Sequence, residues 1–447
     1  MTLPQRDFTT IGLHVPTILL PRSDIDLTKW AVVACDQYTS QPEYWEKVAT
    51  LVGDSPSTFH LILPEVYLDS FGCEKRIEKI NHRMKEYLMQ GVLVEQQPGF
   101  VLVDRKNHRG ISRKGLMVAL DLMQYDYTPD AKTLIRATEG TVIDRLPPRI
   151  QVRKKACLEI PHIMVLLDDP EGIVIEPLFD KKLPLLYDTP LMMGSGHVTG
   201  YGVYDPEIIR EIADALERLL KSVATPGQKP MLYAIGDGNH SLAAAKALWE
   251  NIKSTASPEH LLNHPARYAL VELINIHDTG LAFEPIHRLL FNTSPHAVIK
   301  AMQEFYRRQG SGFHAVTSED PEAVEEAVRS SRSDDRHVFG YLAEDTCGII
   351  TITNPAYGLE TETLQVFLDA FLSRFPDIKI DYIHGSDAVA KLGSQSGNVG
   401  FYLPPINKHH FFQTIMRDGA LPRKTFSLGE ADDKRFYLEC RKIVTAL

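Results

Sequence analysis

The chain has 447 residues, 44% hydrophobic and 24% charged, the balance of a globular protein with room for two to three domains rather than of a disordered chain. Its formal net charge of −10 argues against a basic nucleic-acid-binding face, and no apolar run approaches the ~20 residues of a membrane span. The stretch Met1-Thr-Leu-Pro-Gln-Arg-Asp7 has no apolar signal core, and five dispersed cysteines (Cys35, Cys73, Cys157, Cys347, Cys440), none in a Cys-x-x-Cys spacing, read as reduced thiols of a cytoplasmic protein.

Short apolar runs alternate with amphipathic stretches. Residues 30–35 predict a strand and 42–52 a helix with Pro42 in its first turn, capped by Thr39 or Ser40. Strands are expected at 59–63, 100–103 and 116–122, with a helix at 74–89. The run 163–167 is apolar enough for a central strand. Gly194-Ser-Gly-His-Val-Thr-Gly200 misses the dinucleotide fingerprint by one residue and reads as a glycine-rich turn. A long amphipathic helix is expected at 206–222, a buried strand at 231–235 and an alanine-rich helix at 242–249. Runs at 268–276 and 281–291 flank an Asp278-Thr279-Gly280 turn, and a pairing between them is expected. From about Ser294 the order is helix, strand, helix, strand, strand, helix, with a polar loop at 330–336. The whole reads as α/β: mixed α+β sheets with flanking helices. A division near Asn292 separates a core, 1–292, from a smaller C-terminal α+β region, 293–447.

The segment from Gly236 to Ser241 carries the most chemistry. A strand, a glycine bend and a helix start present backbone N–H groups at the positive end of a helix, a site suited to phosphate. Asp237, Asn239, His240 and Ser241 add a carboxylate, an amide, an imidazole and a hydroxyl. The same residues also read as an ordinary Asp-Gly turn, with Asn239 or Ser241 as helix cap. Asp36 directly follows the apolar run 31–35, and strand C-terminal ends are where α/β proteins place ligands. Arg136 and Glu139 open a charged loop and read either as ligand contacts or as solvated pairs. Arg145 and Arg149 read as structural, and Thr138 or Thr141 as cap of a short helix ending at Pro147. Asp168-Asp169 fit a water-mediated magnesium site or, better, a plain turn. His287-Arg288 reads as a phosphate-reaching pair or as a satisfied buried histidine. Adjacent residues on a helix face different ways, so His409-His410 is not expected to chelate metal. Arg423-Lys424 places two cations on a short loop, and residues 432–435 read as a solvated face. There is no P-loop, no His-Glu-x-x-His and no Gly-x-Ser-x-Gly.

Five stretches together resemble the domain-of-unknown-function 1015 family, over nearly the whole chain. They are Arg136-Ala-Thr-Glu-Gly-Thr-Val-Ile-Asp-Arg-Leu-Pro-Pro-Arg149, Pro161-His-Ile-Met-Val-Leu-Leu-Asp-Asp-Pro170, Gly236-Asp-Gly-Asn-His-Ser241, Gly280-Leu-Ala-Phe-Glu-Pro-Ile-His-Arg288 and Leu421-Pro-Arg-Lys-Thr-Phe426. The family's central motif, usually Asp-Gly-His-His-Arg, resembles the phosphate-binding turn of the ParB/sulfiredoxin superfamily, which includes nucleotide-dependent kinases of free serine. The resemblance implies a ParB/sulfiredoxin-like core. Asp237, Gly238 and His240 match the motif, whereas Asn239 replaces a histidine and Ser241 the arginine. An arginine there would clamp phosphate in bidentate fashion, so another cation, Lys424, Arg423 or Arg288, is expected to compensate.

What the resemblance implies is a phosphotransferase that uses ATP or ADP with Mg2+ on a small hydroxylated metabolite such as free serine. In that reading Gly236, Gly238, Asn239, Ser241 and Lys424 hold nucleotide phosphate. Asp36, Asp237 and His240 are catalytic, and Arg136 and Glu139 contact substrate. The alternative is a non-catalytic regulatory protein that binds a nucleotide or phosphometabolite. Neither reading includes a nucleic acid or membrane partner.

Overall fold

The computed structural model describes residues 8–39, 41–68, 70–223, 229–261, 263–331, 333 and 335–446; Ser40, one of the two expected caps, lies outside them. The chain forms two compact units, Met1–Leu281 together with Gly429–Leu447, and Ala282–Leu428. The division thus falls before the strand Phe283–Phe291 rather than near Asn292. The end of the chain, expected in a C-terminal region, belongs to the first unit.

The first unit is built on a mixed ten-stranded sheet. Its order is Leu185–Pro190, His197–Val203, Phe100–Lys106, Ser112–Asp121, Tyr268–Asn275, Met164–Leu167, Tyr233–Asp237, Ile135–Ala137 and Tyr125–Asp126, with Leu13–His14 beside Ser112–Asp121. Side chains alternate between two cores, as the twofold strand period requires. Phe100, Leu102, Leu116 and Val118 enter one core, with Ile209, Ile212 and Leu216 of the helix Pro206–Ser222. Val101, Val103 and Met117 enter the other, with Trp30, Val33, Trp45 and Tyr437. Cover on both faces explains why the central strands read as unbroken apolar runs. The helices Pro42–Val52 and Pro206–Ser222 occupy the expected residues, and Asp205 caps the second by accepting from Glu207 N at 2.8 Å.

Three expectations fail on local apolar runs. Residues 30–35 are the end of a short helix, Leu27–Trp30, followed by extended chain that bridges Val33 to Phe436. Residues 59–63 begin in a 3-10 turn, Thr58–Leu61. Tyr268–Asn275 and Phe283–Phe291 do not pair, because they belong to different sheets. In the first two cases burial alone made the run apolar, and apolar runs without periodicity do not distinguish strand from buried turn; in the third both strands form, each in its own sheet.

The second unit has a seven-stranded antiparallel sheet. Its order is Gly312–Ser318, Thr346–Thr353, Arg336–Ala343, Asn398–Tyr402, Phe283–Phe291 and Lys379–His384, with Phe426–Leu428 against Phe283–Phe291. His287 is buried there, its Nδ1 accepting from Leu403 N at 3.2 Å, and burial lowers its pKa to about 4. Arg288 is fully buried, donating from Nε to Gln365 Oε1 at 2.8 Å. The pair is therefore core. Among the described residues no helix is long and apolar enough to cross a membrane.

The tail is held to the first unit by buried charge. Arg435 donates from Nη1 to Glu272 Oε2 at 2.7 Å, from Nε to Pro161 O at 2.9 Å, and from Nη2 to Glu439. Tyr187 OH donates to Glu439 Oε1 at 2.5 Å. Burial opposes ionisation of Glu272, but Arg113 and Arg435 reverse the sign and hold its carboxyl below the usual range. Gly115 makes room for this glutamate, since a Cβ there would stand 2.2 Å from Glu272 Oε1. Removing one partner of a buried ion network leaves uncompensated charge. Arg435→Met is therefore expected to cost roughly 3–5 kcal/mol in urea unfolding. A cost below about 1 kcal/mol, the scale of a surface pair, would show that the tail is held by apolar packing instead.

Candidate functional site

The strand Tyr233–Asp237 runs parallel to Ile135–Ala137 and antiparallel to Met164–Leu167. Its C-terminal end therefore meets the N-terminal end of Met164–Leu167, which brings His162 and Ile163 beside Asp237. The register shifts between Ile235 and Asp237, so Gly236 sits in a bulge. The bend itself is Gly238, at φ 79°, where a Cβ would also press within 3.1 Å of Ile163. The helix Asn239–Thr255 starts there. Its first-turn amides have no intrahelical acceptor; that of Gly238 donates to Asp237 Oδ1 at 2.9 Å.

The tail completes this edge. Val33 bridges Phe436, Ala34 N donates to Arg435 O at 2.9 Å, and Tyr437 N donates to Val32 O at 2.8 Å. This pairing places Lys434 Nζ 3.1 Å from Asp237 Oδ2. It also places the Tyr437 hydroxyl where it accepts from Cys35 N at 3.0 Å and meets His162 Nδ1 at 2.8 Å. The other ring nitrogen, Nε2, is 3.0 Å from Ser241 Oγ and 3.5 Å from Asp36 Oδ2. Burial raises the pKa of Asp237, but Lys434, His162 and the Gly238 amide outweigh it and hold the carboxyl below its ordinary value. Asn239 Oδ1 and Thr141 Oγ1 are buried with no hydrogen-bond partner among the described residues.

A cavity of about 130 Å³ opens beside Ser241 and His162. Cys35, Glu65, Arg149 and Tyr437 also line it. Glu65 pairs with Arg149; burial raises its pKa, Arg149 opposes that, and Asp36 adds to it.

Of the expected site residues, Asp36, Gly236, Asp237, Gly238, Asn239 and Ser241 gather at this edge. Glu139 lies two residues beyond Ala137, the last residue of its strand to pair with Tyr233–Asp237. His240 sits in the first helical turn, but its Nε2 accepts from Val142 N at 3.3 Å, so it fastens the 141–142 loop. Arg136 does not join the site. It points to the other end of its strand and donates to Thr133 O at 3.0 Å and Lys229 O at 2.7 Å. Lys424 is exposed in a turn of the second unit. The cation beside the motif is Lys434, from a run read as a solvated face, and both Lys434 and Arg435 are buried. Pro147 does not end a helix; it lies in the first turn of Leu146–Lys154. Asp169 forms a plain turn, accepting from Val174 N at 2.9 Å, while Asp168 meets His277 Nε2 at 2.7 Å. Sequence reasoning missed His162, Lys434 and Tyr437 as site residues. Only His162 left a signal, within the Pro161–Pro170 stretch.

Residues 19–371 match the family described as "Protein of unknown function (DUF1015)". The chain belongs to the DUF1015 family. No curated protein matches the sequence. Among solved structures, a free serine kinase in complex with AMP is 12% identical and overlaps 73% of this chain and 92% of that chain, with a TM-score of 0.37. A conserved hypothetical protein from Pyrococcus furiosus is 15% identical over 72% and 90%, with a TM-score of 0.33. SbnI with a C-terminal truncation, from Staphylococcus aureus, is 11% identical over 74% and 83%, with a TM-score of 0.32. Overlaps this loose carry no chemistry from those proteins to this DUF1015 member.

The depressed pKa of Asp237 has a consequence for acid stability. A carboxyl whose folded pKa lies below its unfolded value of about 4 stabilises the fold above that pH, and the contribution is lost as pH falls through the folded value. Lys434→Met removes the main group that opposes burial, so the Asp237 pKa rises. The variant is expected to begin losing stability at a higher pH than the wild type in urea unfolding between pH 7 and pH 3. An unchanged acid limb would contradict the assignment.

Proposed function

We propose that this protein is a nucleotide-dependent phosphotransferase acting on a small hydroxylated metabolite. The observation that carries the reading is convergence. Asp36, His162, Ser241 and the Asp237–Lys434 pair come from distant parts of the chain to one helix N-terminus. In-line phosphoryl transfer needs donors and cations on the phosphates and a carboxylate at the acceptor hydroxyl. The amides of Asn239 to Ser241 and the Lys434 ammonium supply the first. Lys434 takes the part of the arginine that the motif lacks at Ser241. Asp36 supplies the second, held in place by His162 Nε2, and accepts the acceptor's proton as its oxygen attacks phosphorus and the bond to the nucleotide breaks. The unpartnered Asn239 Oδ1 and Thr141 Oγ1 fit a site that awaits a polar ligand.

Magnesium commonly binds through one or two carboxylates plus substrate phosphates. The site offers Asp237 for that role, although no ready cluster of three metal-ligating side chains exists among the described residues. Bound with nucleotide, the ion would supply neutralisation of phosphate charge.

Purified protein given ATP or ADP, magnesium and a panel of amino acids, free serine included, and other alcohols tests the reading by phosphate transfer. Asp36→Asn is expected to lower turnover ~10²-fold or more, the scale of general-base loss, with nucleotide affinity little changed. Lys434→Met is expected to weaken nucleotide binding as well. Nucleotide binding without transfer to any acceptor would instead point to a ligand-sensing protein.

A further inference from the structure

Phosphate handling does not account for the cavity beside Ser241. Most of its wall is apolar, with Leu61, Leu63, Met84, Val152, Ala156 and Leu270. All of these but Val152 are buried. Its charges are matched within the wall, Arg149 by Glu65 and Arg153 by Glu159. The hydroxyl of Ser241 and the imidazole of His162 stand at one side of it, next to Asp36. An apolar cavity of about 150 Å³ admits benzene, and this one measures about 130 Å³.

We infer that the cavity is the acceptor's subsite and takes an alcohol with an apolar group about the size of a phenyl ring or a branched short chain. The hydroxyl meets Asp36 and His162 at the mouth while the apolar group lies against Leu61, Leu63 and Met84. Free serine fits poorly, because it would leave these walls bare and set two charges against them, which costs free energy without partners. The acceptor role rests on the phosphotransferase reading; the occupancy of the cavity does not.

Ligand-observed NMR on the full chain, with benzyl alcohol, isoamyl alcohol and glycerol as probes, tests the cavity directly. The two apolar alcohols are expected to bind about tenfold tighter than glycerol or better, in line with several buried carbons. Ala156→Leu and Val152→Phe, each confirmed folded by circular dichroism, fill the cavity. Each is expected to weaken that binding about tenfold while ADP affinity stays unchanged. Crystals of the wild type under xenon give a readout free of substitutions, with xenon expected in the cavity. Equal binding of glycerol and benzyl alcohol, or a cavity empty under xenon, overturns the inference. The two readings fail differently: phosphate transfer to serine but to neither apolar alcohol overturns the subsite alone. Cavity binding with no transfer to any alcohol overturns the phosphotransferase and the acceptor role with it.

Discussion

Arg435 cannot shed its proton in a protein interior, so burying it demands carboxylates that are themselves buried. Glu272 on the central strand and Glu439 four residues along the tail meet that demand. The arrangement fixes the tail in one register against residues 32–34 and across Pro161. Everything at the candidate site follows from that register. Lys434 precedes the anchor and reaches Asp237. Tyr437 follows it and holds His162. The paired segment 32–34 delivers Asp36 to the same imidazole. A network of buried ions adds little net stability over an apolar core, but here it specifies position.

The site in turn is a balance of opposite charges. Asp237 lies at the positive end of a helix and against Lys434, which favours its ionised form despite burial. Lys434 retains ammonium hydrogens beyond the one directed at Asp237, so the pair can present both a cation and a carboxylate to a ligand. The hydroxyl of Ser241, in the first turn of that helix, meets His162 Nε2 at 3.0 Å.

Much of the local structure was legible in the sequence. Proline at the first turn and a clear apolar stripe mark Pro42–Val52 and Pro206–Ser222 to the residue. The glycine bend at Gly238 was equally plain, as was the order helix, strand, helix, strand, strand, helix from Pro295 to Arg374. The site was legible only in part. Asp36 and the Gly236–Ser241 turn were visible because each carries its chemistry in a few consecutive residues. Lys434, Arg435 and Tyr437 were not, because a charged run reads as solvated unless its buried partners, such as Glu272 some 160 residues earlier, are known. Arg136 misled for the converse reason. Its charge suggested a ligand, yet two backbone carbonyls satisfy it.

The central claim is that a phosphate binds where the helix Asn239–Thr255 begins, between its amides and Lys434. A crystal structure with ADP and magnesium tests it most directly. The account predicts a phosphate oxygen within hydrogen-bond reach of the amides of residues 239–241 and of Lys434 Nζ, with the Asp36 carboxylate free to meet an acceptor. Nucleotide bound elsewhere on the chain, with this turn bare at saturating concentration, would contradict it.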